Sequence, residues 1–224
     1  MKSLFRTTLG ALFLTSYLVC VAAPQGARAD VVFDFATMAL GNEGAFTGAT
    51  VGGIEVVASA SGSGSPVPYL DDLYTGAGSP DGRAGLGVCS SGINSGGECV
   101  ISSDDNVTAG ETLTLAFLDA STSTPLTVNL LVALFRDTDH FPAFPAGAQI
   151  DIQTDGGGFV TYALVNNFTT QLTGSVFDFT YNNEQFYIET ATVNPVPLPA
   201  ALPLLLSALA GLGLFGWRRR RAAA

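Results

Sequence analysis

Residues 110–117 have the sequence GETLTLAF, in which polar and apolar side chains alternate. Successive side chains of a strand point to opposite faces of a sheet. The alternation therefore places Leu113, Leu115 and Phe117 on one face, and Thr112 and Thr114 on the other. This stretch predicts a β-strand with one face in a hydrophobic core.

Similar stretches lie on both sides of this strand and are separated by Gly, Asn, Asp and Ser. The most apolar of them, LTVNLLVALFR at 126–136, predicts a central strand buried on both faces. Residues 148–154 and 159–164 flank a DGGG turn and predict a hairpin. Further strands are predicted at residues 31–35, 53–60, 176–181 and 185–193. About eight strands without an amphipathic helix predict an all-β fold, an antiparallel β-sandwich of jelly-roll type.

Residues 61–105 are rich in Gly, Ser and Pro and predict a long loop region, where a binding surface is expected. This region contains Cys89 and Cys99, which remain as an even pair once Cys20 is lost with an N-terminal signal. We expect a disulfide that closes a small loop and stabilises the fold by about 2–3 kcal/mol. The competing interpretation is a zinc site, but the chain has a single histidine and no second cysteine pair.

Charge is distributed very unevenly along the chain. All nineteen acidic residues lie between residues 30 and 195, where Arg83 and Arg136 are the only basic residues, so the net charge of this segment is about −17. Such a surface repels phosphates, so no nucleic-acid partner is expected. It favours divalent cations, cationic partners or solubility outside the cell.

The N-terminal residues have the pattern of a secretory signal peptide. Lys2 and Arg6 precede an apolar stretch, and a small-x-small sequence ends at Ala29. We expect signal peptidase to cleave between Ala29 and Asp30. The alternative is an uncleaved membrane anchor.

The C-terminal residues have three parts. The VPLPA sequence, an uncharged apolar run at 201–217 and four consecutive arginines follow one another. Seventeen residues at 1.5 Å each reach about 25 Å, near the lower limit for a transmembrane helix. The arginines should remain cytoplasmic, which places the preceding residues across the membrane. The motif is formed by Val196, Pro197, Leu198, Pro199 and Ala200, and the cytoplasmic anchor by Arg218, Arg219, Arg220 and Arg221.

This tail resembles the VPLPA variant of the PEP-CTERM sorting signal of bacterial exosortase substrates. The resemblance covers only about the last 29 residues. It implies that a membrane-embedded, cysteine-type transpeptidase cuts at or near the motif and releases or transfers the protein to the cell surface or its polysaccharide matrix. Prolines at 195, 197 and 199 hold the chain extended, which suits a protease groove. The alternative is a proline-rich linker before a permanent transmembrane helix.

Together these features predict a signal peptide at residues 1–29, an exported β-sandwich domain at 30–194 and a sorting signal at 195–224. The expected function is that of a non-enzymatic surface or extracellular-matrix protein, held transiently in the inner membrane by its C-terminal helix. The expected partners are signal peptidase, an exosortase-type transpeptidase and extracellular polysaccharide. The alternative function is a carbohydrate-binding module with a structural calcium ion.

Catalysis is not expected from this sequence. His140 is the only histidine and lies in a polar turn after the apolar 126–136 strand, where a solvated position is expected. Although Asp137 and Asp139 are close to it in sequence, no nucleophile-elbow motif accompanies them. Paired carboxylates for glycoside hydrolysis would need a geometry that acidic composition alone does not indicate.

Two ligand sites are hypothesised, and apart from a structural calcium no cofactor is expected. For calcium, Asp104 and Asp105 are the first candidates, although they lack EF-hand spacing. For a carbohydrate, Tyr69 and Tyr74 flank two carboxylates in a predicted loop, so the candidate set is Tyr69, Asp71, Asp72 and Tyr74. The alternative for these tyrosines is partial burial at a sheet edge.

Overall fold

The computed structural model describes residues 29–73, 83–100 and 105–196. The predicted signal peptide up to residue 28 and the tail from residue 197 onward lie outside the described residues. Residues Arg28–Val196 form one compact unit.

Apart from one short helix, the regular secondary structure of the described residues is all β-strand. In chain order its elements are β1 (Val31–Asp34), α1 (Phe35–Ala39), β2 (Gly44–Ala45), β3 (Gly48–Val51), β4 (Ile54–Ser61), β5 (Val67–Leu73), β6 (Arg83–Cys89), β7 (Thr112–Asp119), β8 (Thr124–Pro125), β9 (Val128–Arg136), β10 (Gln149–Thr154), β11 (Val160–Ala163), β12 (Asn167–Phe168), β13 (Leu172–Gly174), β14 (Val176–Tyr181) and β15 (Tyr187–Pro195).

These strands form two antiparallel sheets. The β7 sheet has the order β11-β10-β14-β7-β4-β3, and β8 also pairs with β7. The β9 sheet has the order β12-β9-β15-β6-β5-β2, and β1 pairs with β15 while β13 pairs with β9. The predicted all-β class and two-layer sandwich are confirmed.

Aromatic rings fill the space between the two sheets. Phe135 of β9 lies 6.2 Å from Phe179 of β14, measured between ring centroids, and Phe33 of β1 lies 5.8 Å from Phe117 of β7. All four side chains are at most 1% exposed. Such tilted and edge-to-face pairs contribute about 0.5–1.5 kcal/mol each beyond the area they bury.

The predicted strands are confirmed, with small differences at their ends. Leu113, Leu115 and Phe117 of β7 face the core as the alternation predicted. The 31–35 prediction is too long at its end, because Phe35 begins α1. There Asp34 caps the helix, since its carboxylate accepts a hydrogen bond from the Thr37 N–H at 2.8 Å.

Two predictions about strands are wrong. The strand β9 is not buried on both faces, because Val132 and Leu134 are partly exposed on its outer face. Residues 61–105 are not one long loop, because β5 and β6 lie within them and pair with each other. Both are interior strands of the β9 sheet. The sequence did not indicate these strands, because Pro, Asp and Gly are unfavourable in strand interiors. Packing against the rest of the fold stabilises the strands instead.

Candidate functional site

The C-terminal junction is the first candidate site, because the predicted sorting motif begins there. Pro195 pairs with Val128 at the end of β15, and the Val196 N–H donates to the Thr127 carbonyl at 3.0 Å. Sheet hydrogen bonding thus continues to the first residue of the motif. The other motif residues, Pro197, Leu198, Pro199 and Ala200, and the four arginines lie outside the described residues.

The N-terminal junction lies beside it. β1 pairs antiparallel with β15, so that Val31 is opposite Val193. The Asn194 side-chain amide donates to the Asp30 carboxylate at 2.7 Å. The two predicted processing points, at Ala29 and at the motif, therefore flank the compact unit at one end of the same pair of strands.

The predicted disulfide is confirmed. Cys89, the last residue of β6, is bonded to Cys99, and their Cα atoms are 5.7 Å apart. The Cys99 N–H donates to the Tyr69 hydroxyl at 3.1 Å. The bridge thus fastens the following loop against β5 and β6.

The carbohydrate-binding hypothesis placed Tyr69, Asp71 and Asp72 in a loop, and this is wrong. All three are on β5, and the Tyr69 ring is fully buried. Its hydroxyl donates to Glu43 at 2.9 Å. Burial raises the pKa of Tyr69 well above its ordinary value, and the nearby Glu43 and Asp71 carboxylates add to this. A ring in this position offers no face on which a sugar could stack.

The remaining members of that set add little to a ligand site. Asp72 accepts a hydrogen bond from the Gly41 N–H at 2.8 Å, which ties β5 to the turn after α1. Tyr74 lies outside the described residues.

Several buried or partly buried polar side chains meet on the outer face of the β9 sheet, the face directed away from the core. We call this set the polar cluster, and its members are Asp71, Asp105, Arg136, His140, Tyr187 and Glu189. They come from β5, β9, β15 and two loops.

His140 corrects the sequence interpretation, which expected a solvated turn. It is 5% exposed, and its Nε2 lies 2.8 Å from the Asp71 carboxylate. Its ring meets the ring of Tyr187 edge-to-face at 5.3 Å. The turn does exist, because the Asp137 carboxylate accepts hydrogen bonds from the N–H groups of Asp139 and Phe141. His140 has a φ of 63° in this turn, and its side chain packs against Asp71 and Tyr187.

Tyr187 connects His140 to the loop before β7. Its hydroxyl donates to the Asp105 carboxylate. Burial raises the pKa of Tyr187 well above its ordinary value, and the charges of Asp105 and Asp71 raise it further. The phenol therefore stays protonated and acts as a hydrogen-bond donor.

Arg136 contributes a guanidinium group to the polar cluster. Its Nε and Nη2 donate to the two carboxylate oxygens of Glu189 at 2.8 and 2.9 Å. Its Nη1 donates to the His140 carbonyl at 3.1 Å. Glu189 lies at an irregularity of β15, where the register with β9 shifts between Ile188 and Thr190. A bulge of this kind changes the direction of a side chain.

Glycine in β6 makes room for the cluster. A Cβ atom on Gly87 would lie 2.1 Å from the Asp105 carbonyl oxygen and 2.9 Å from Cδ1 of Tyr187. Any side chain there would displace the loop from the sheet. Sequence reasoning missed the cluster as a whole, and the one signal for it was Arg136, a rare base at the end of an apolar strand.

The calcium hypothesis gains no geometric support. Asp105 is engaged with Tyr187, and Asp104 lies outside the described residues. Within residues 29–73, 83–100 and 105–196, no group of three or more His, Cys, Asp or Glu side chains is arranged to hold a metal ion. The Asp137 carboxylate, close to His140 in sequence, is occupied by the N–H groups of its own turn.

A shallow cleft lies between residues 142–149 and residues 163–166. Its lining includes Pro142, Phe144, Pro145, Leu164 and Val165 and contains no charged residue or histidine. It therefore supplies apolar contacts and no acid–base group.

Among the described residues, no helix has the length and hydropathy to cross a membrane. The predicted transmembrane helix at 201–217 lies outside them. In the comparisons with known proteins, no family model matches the chain, and no curated protein matches it.

Proposed function

We propose that this chain is an exported, non-enzymatic protein of the cell surface or extracellular matrix. Signal peptidase removes its first 29 residues, and an exosortase-type transpeptidase processes it at the VPLPA motif. The C-terminal helix holds it in the inner membrane between these two steps.

The observation that carries the proposal is the agreement between the folded unit and the two processing points. The first strand begins at Val31, two residues after Ala29, and the last ends at Pro195, directly before the motif. Because the described strands all lie between the two cleavage points, the domain keeps all of them after both cuts.

Two further features support an extracellular location. The Cys89–Cys99 disulfide is a type of bond that persists in oxidising compartments. The net charge of the segment between residues 30 and 195 is about −17, and this segment contains no lysine. A charge of this size favours solubility.

The jelly-roll assignment belongs to the same proposal. Within the described residues, the chain passes from one sheet to the other eight times, at β2–β3, β4–β5, β6–β7, β8–β9, β9–β10, β11–β12, β13–β14 and β14–β15. Repeated crossing of this kind supports a jelly roll, in which two sheets share one winding chain. The carbohydrate-binding alternative is disfavoured, because Tyr69 and Asp71 are buried.

The proposal is tested by intact-mass analysis of the protein from the envelope and culture fluid of its native host. We expect a species that begins at Asp30 and ends within residues 196–200. The Pro197→Ala/Pro199→Ala variant should accumulate with Trp217 and the arginines still attached.

A matched control replaces Pro142 and Pro145, two loop prolines far along the chain from the motif, with alanine. This variant should be processed like the natural chain. Recovery of the unaltered protein with its complete tail would instead make it a permanent single-pass membrane protein, and the proposal would be abandoned.

A further inference from the structure

The strand β11 forms one edge of the β7 sheet, and among the described residues no strand pairs with its outer side. Residues 159–165 have the sequence FVTYALV, without a charge, a proline or a glycine. Phe159, Val160 and Val165 are 49%, 50% and 45% exposed. Natural edge strands are normally protected by charges, prolines or bulges, because a bare edge pairs with another strand.

The backbone groups of this edge alternate in direction. The Leu164 N–H donates to the Ala148 carbonyl at 2.9 Å, toward β10. Because antiparallel ladders alternate, residues 160, 162 and 164 direct their backbone groups toward β10. Thr161 and Ala163 therefore direct theirs outward. The Gln149 N–H, opposite Ala163, agrees with this, since it donates to Asn183 on the far side of β10 at 2.7 Å.

This edge is complementary to itself. If two copies pair antiparallel about a two-fold axis at Tyr162, Thr161 of one copy lies opposite Ala163 of the other. These two residues then exchange their outward backbone hydrogen bonds. In the same register Phe159 lies opposite Val165 of the second copy. The two exposed apolar side chains thus cover each other on one face of the joined sheet.

We propose that β11 is a homodimerisation edge, at which two copies of this chain join their β7 sheets across a two-fold axis at Tyr162. A two-fold contact of this kind closes on itself and yields dimers rather than fibres. The inference goes beyond the proposed function and does not depend on processing at either end.

Electrostatics determines the expected strength of the dimer. Each copy carries about −17 between residues 30 and 195, so the two copies repel each other. The edge itself is uncharged, and the nearest carboxylate, Asp151, accepts hydrogen bonds from the Thr161 hydroxyl and the Asn182 amide. Salt reduces the range of the repulsion to roughly 8 Å or less above physiological ionic strength. Dimerisation should therefore be weak at low salt and strengthen as salt is added.

The test compares proline substitutions on the two edges of the β7 sheet. The Ala58 N–H donates to the Thr47 carbonyl, so by the same alternation Thr50 on β3 directs its N–H outward, as Thr161 does. Both threonines are exposed, and proline is tolerated on an edge where the N–H faces solvent. Thr161→Pro removes one outward donor from the proposed dimer edge, and Thr50→Pro removes one from the opposite edge.

The measurement is sedimentation equilibrium of the full-length chain in density-matched detergent, at low salt and at about 0.5 M NaCl, where screening is strong. We expect the unaltered chain and Thr50→Pro to dimerise more tightly at high salt. The dissociation constant of Thr161→Pro should be at least tenfold higher than theirs. Equal association of the two variants, or a monomeric unaltered chain under both conditions, would overturn the proposal. Larger assemblies that Thr50→Pro removes would also overturn it, because they would require the β3 edge.

A cross-linking experiment on the full-length chain with Cys20→Ser tests the position of the axis. Residue 162 faces its own copy across the two-fold axis, so Tyr162→Cys should give a disulfide-linked dimer on a non-reducing gel. Val32→Cys, which is 48% exposed and therefore more accessible than residue 162 but lies on β1 of the other sheet, should not. Equal cross-linking of the two variants would contradict the proposed edge.

Discussion

Replacing Gly87 with alanine should destabilise the fold strongly, and the structure indicates by how much. The glycine has no left-handed φ, so alanine could adopt its backbone conformation. The difficulty is space, because the new Cβ would lie 2.1 Å from the Asp105 carbonyl oxygen and 2.9 Å from both the Asn106 Cα and Cδ1 of Tyr187. Two of these three atoms are backbone, so the loop before β7 must move away by about 1 Å to restore ordinary contact.

The cost has two parts. Overpacking of this kind costs about 1–3 kcal/mol. Moving the loop also weakens the hydrogen bond from the Tyr187 hydroxyl to the Asp105 carboxylate, and hydrogen bonds to charged groups contribute about 1.5–3 kcal/mol. The two costs do not add fully, because a movement of the loop that relieves the overpacking is the same movement that weakens the hydrogen bond. We expect a loss of about 3 kcal/mol in the free energy of unfolding.

The assay is denaturant unfolding with the disulfide intact, followed by circular dichroism, because the only tryptophan is Trp217 in the tail. Gly158→Ala is the matched control. It lies after the β10 turn, also without a left-handed φ, and a Cβ there meets nothing within 4 Å. This variant should be as stable as the unaltered protein or more stable by about 0.4–1 kcal/mol. Equal stability of the two variants would refute the steric reasoning.

Three further predictions concern other parts of the domain. Arg136→Met should cost about 3–5 kcal/mol, because it leaves the largely buried Glu189 carboxylate without its guanidinium partner. Adding Glu189→Met should recover part of that loss in a double-mutant cycle measured by denaturant unfolding. Cys89→Ser, which leaves Cys99 unbridged, should lower the free energy of unfolding by about 2–3 kcal/mol, and reduction of the unaltered protein should reproduce this loss. Burial raises the pKa of Asp155, but hydrogen bonds from Ser175 and Val176, at the start of β14, outweigh burial and hold the pKa below its ordinary value. Asp155→Asn should therefore cost about 1 kcal/mol of stability near neutral pH. In an acid titration of stability, the difference between the variant and the unaltered protein should vanish as the pH falls below the depressed pKa.

Local patterns in the sequence were sufficient to predict much of the fold. The strand β7 alternates strictly, and the predicted hairpin of β10 and β11 is confirmed, with Asp155 and Gly156 forming its turn at φ of 49° and 71°. Both signals are local. The alternation of buried and exposed side chains along a strand, and the residues that adopt a left-handed φ in a turn, can be recognised from a few neighbouring residues. The strand order of the two sheets could not be read in this way, because it depends on pairings between distant segments.

The polar cluster could not be predicted, because it depends on one strand being buried on both faces. The strand β6 has only Arg83 partly exposed, and residues 84–89 are all buried. Its outer face is covered at Gly87 by the loop at Asp105 and at Gly85 by the β15 backbone, so glycine replaces the apolar side chains that usually mark a buried strand. His140 was expected in solvent for the same reason, since its burial depends on Asp71, which is 69 positions earlier in the chain.

The placement of the cluster relative to the chain ends bears on how the protein could be processed. Tyr187 and Glu189 are at the beginning of β15, whereas Pro195 is its last residue. A strand rises about 3.3 Å per residue, so Tyr187 and Pro195 are roughly 26 Å apart along the strand. A transpeptidase that needs an extended substrate would have to detach Val196 from Thr127, a single backbone hydrogen bond that contributes about 1 kcal/mol. Fraying at this end leaves the Arg136–Glu189 ion pair and the disulfide untouched. In the proposed processing, the domain would present its C-terminal end for cleavage while the Arg136–Glu189 ion pair and the disulfide stay in place.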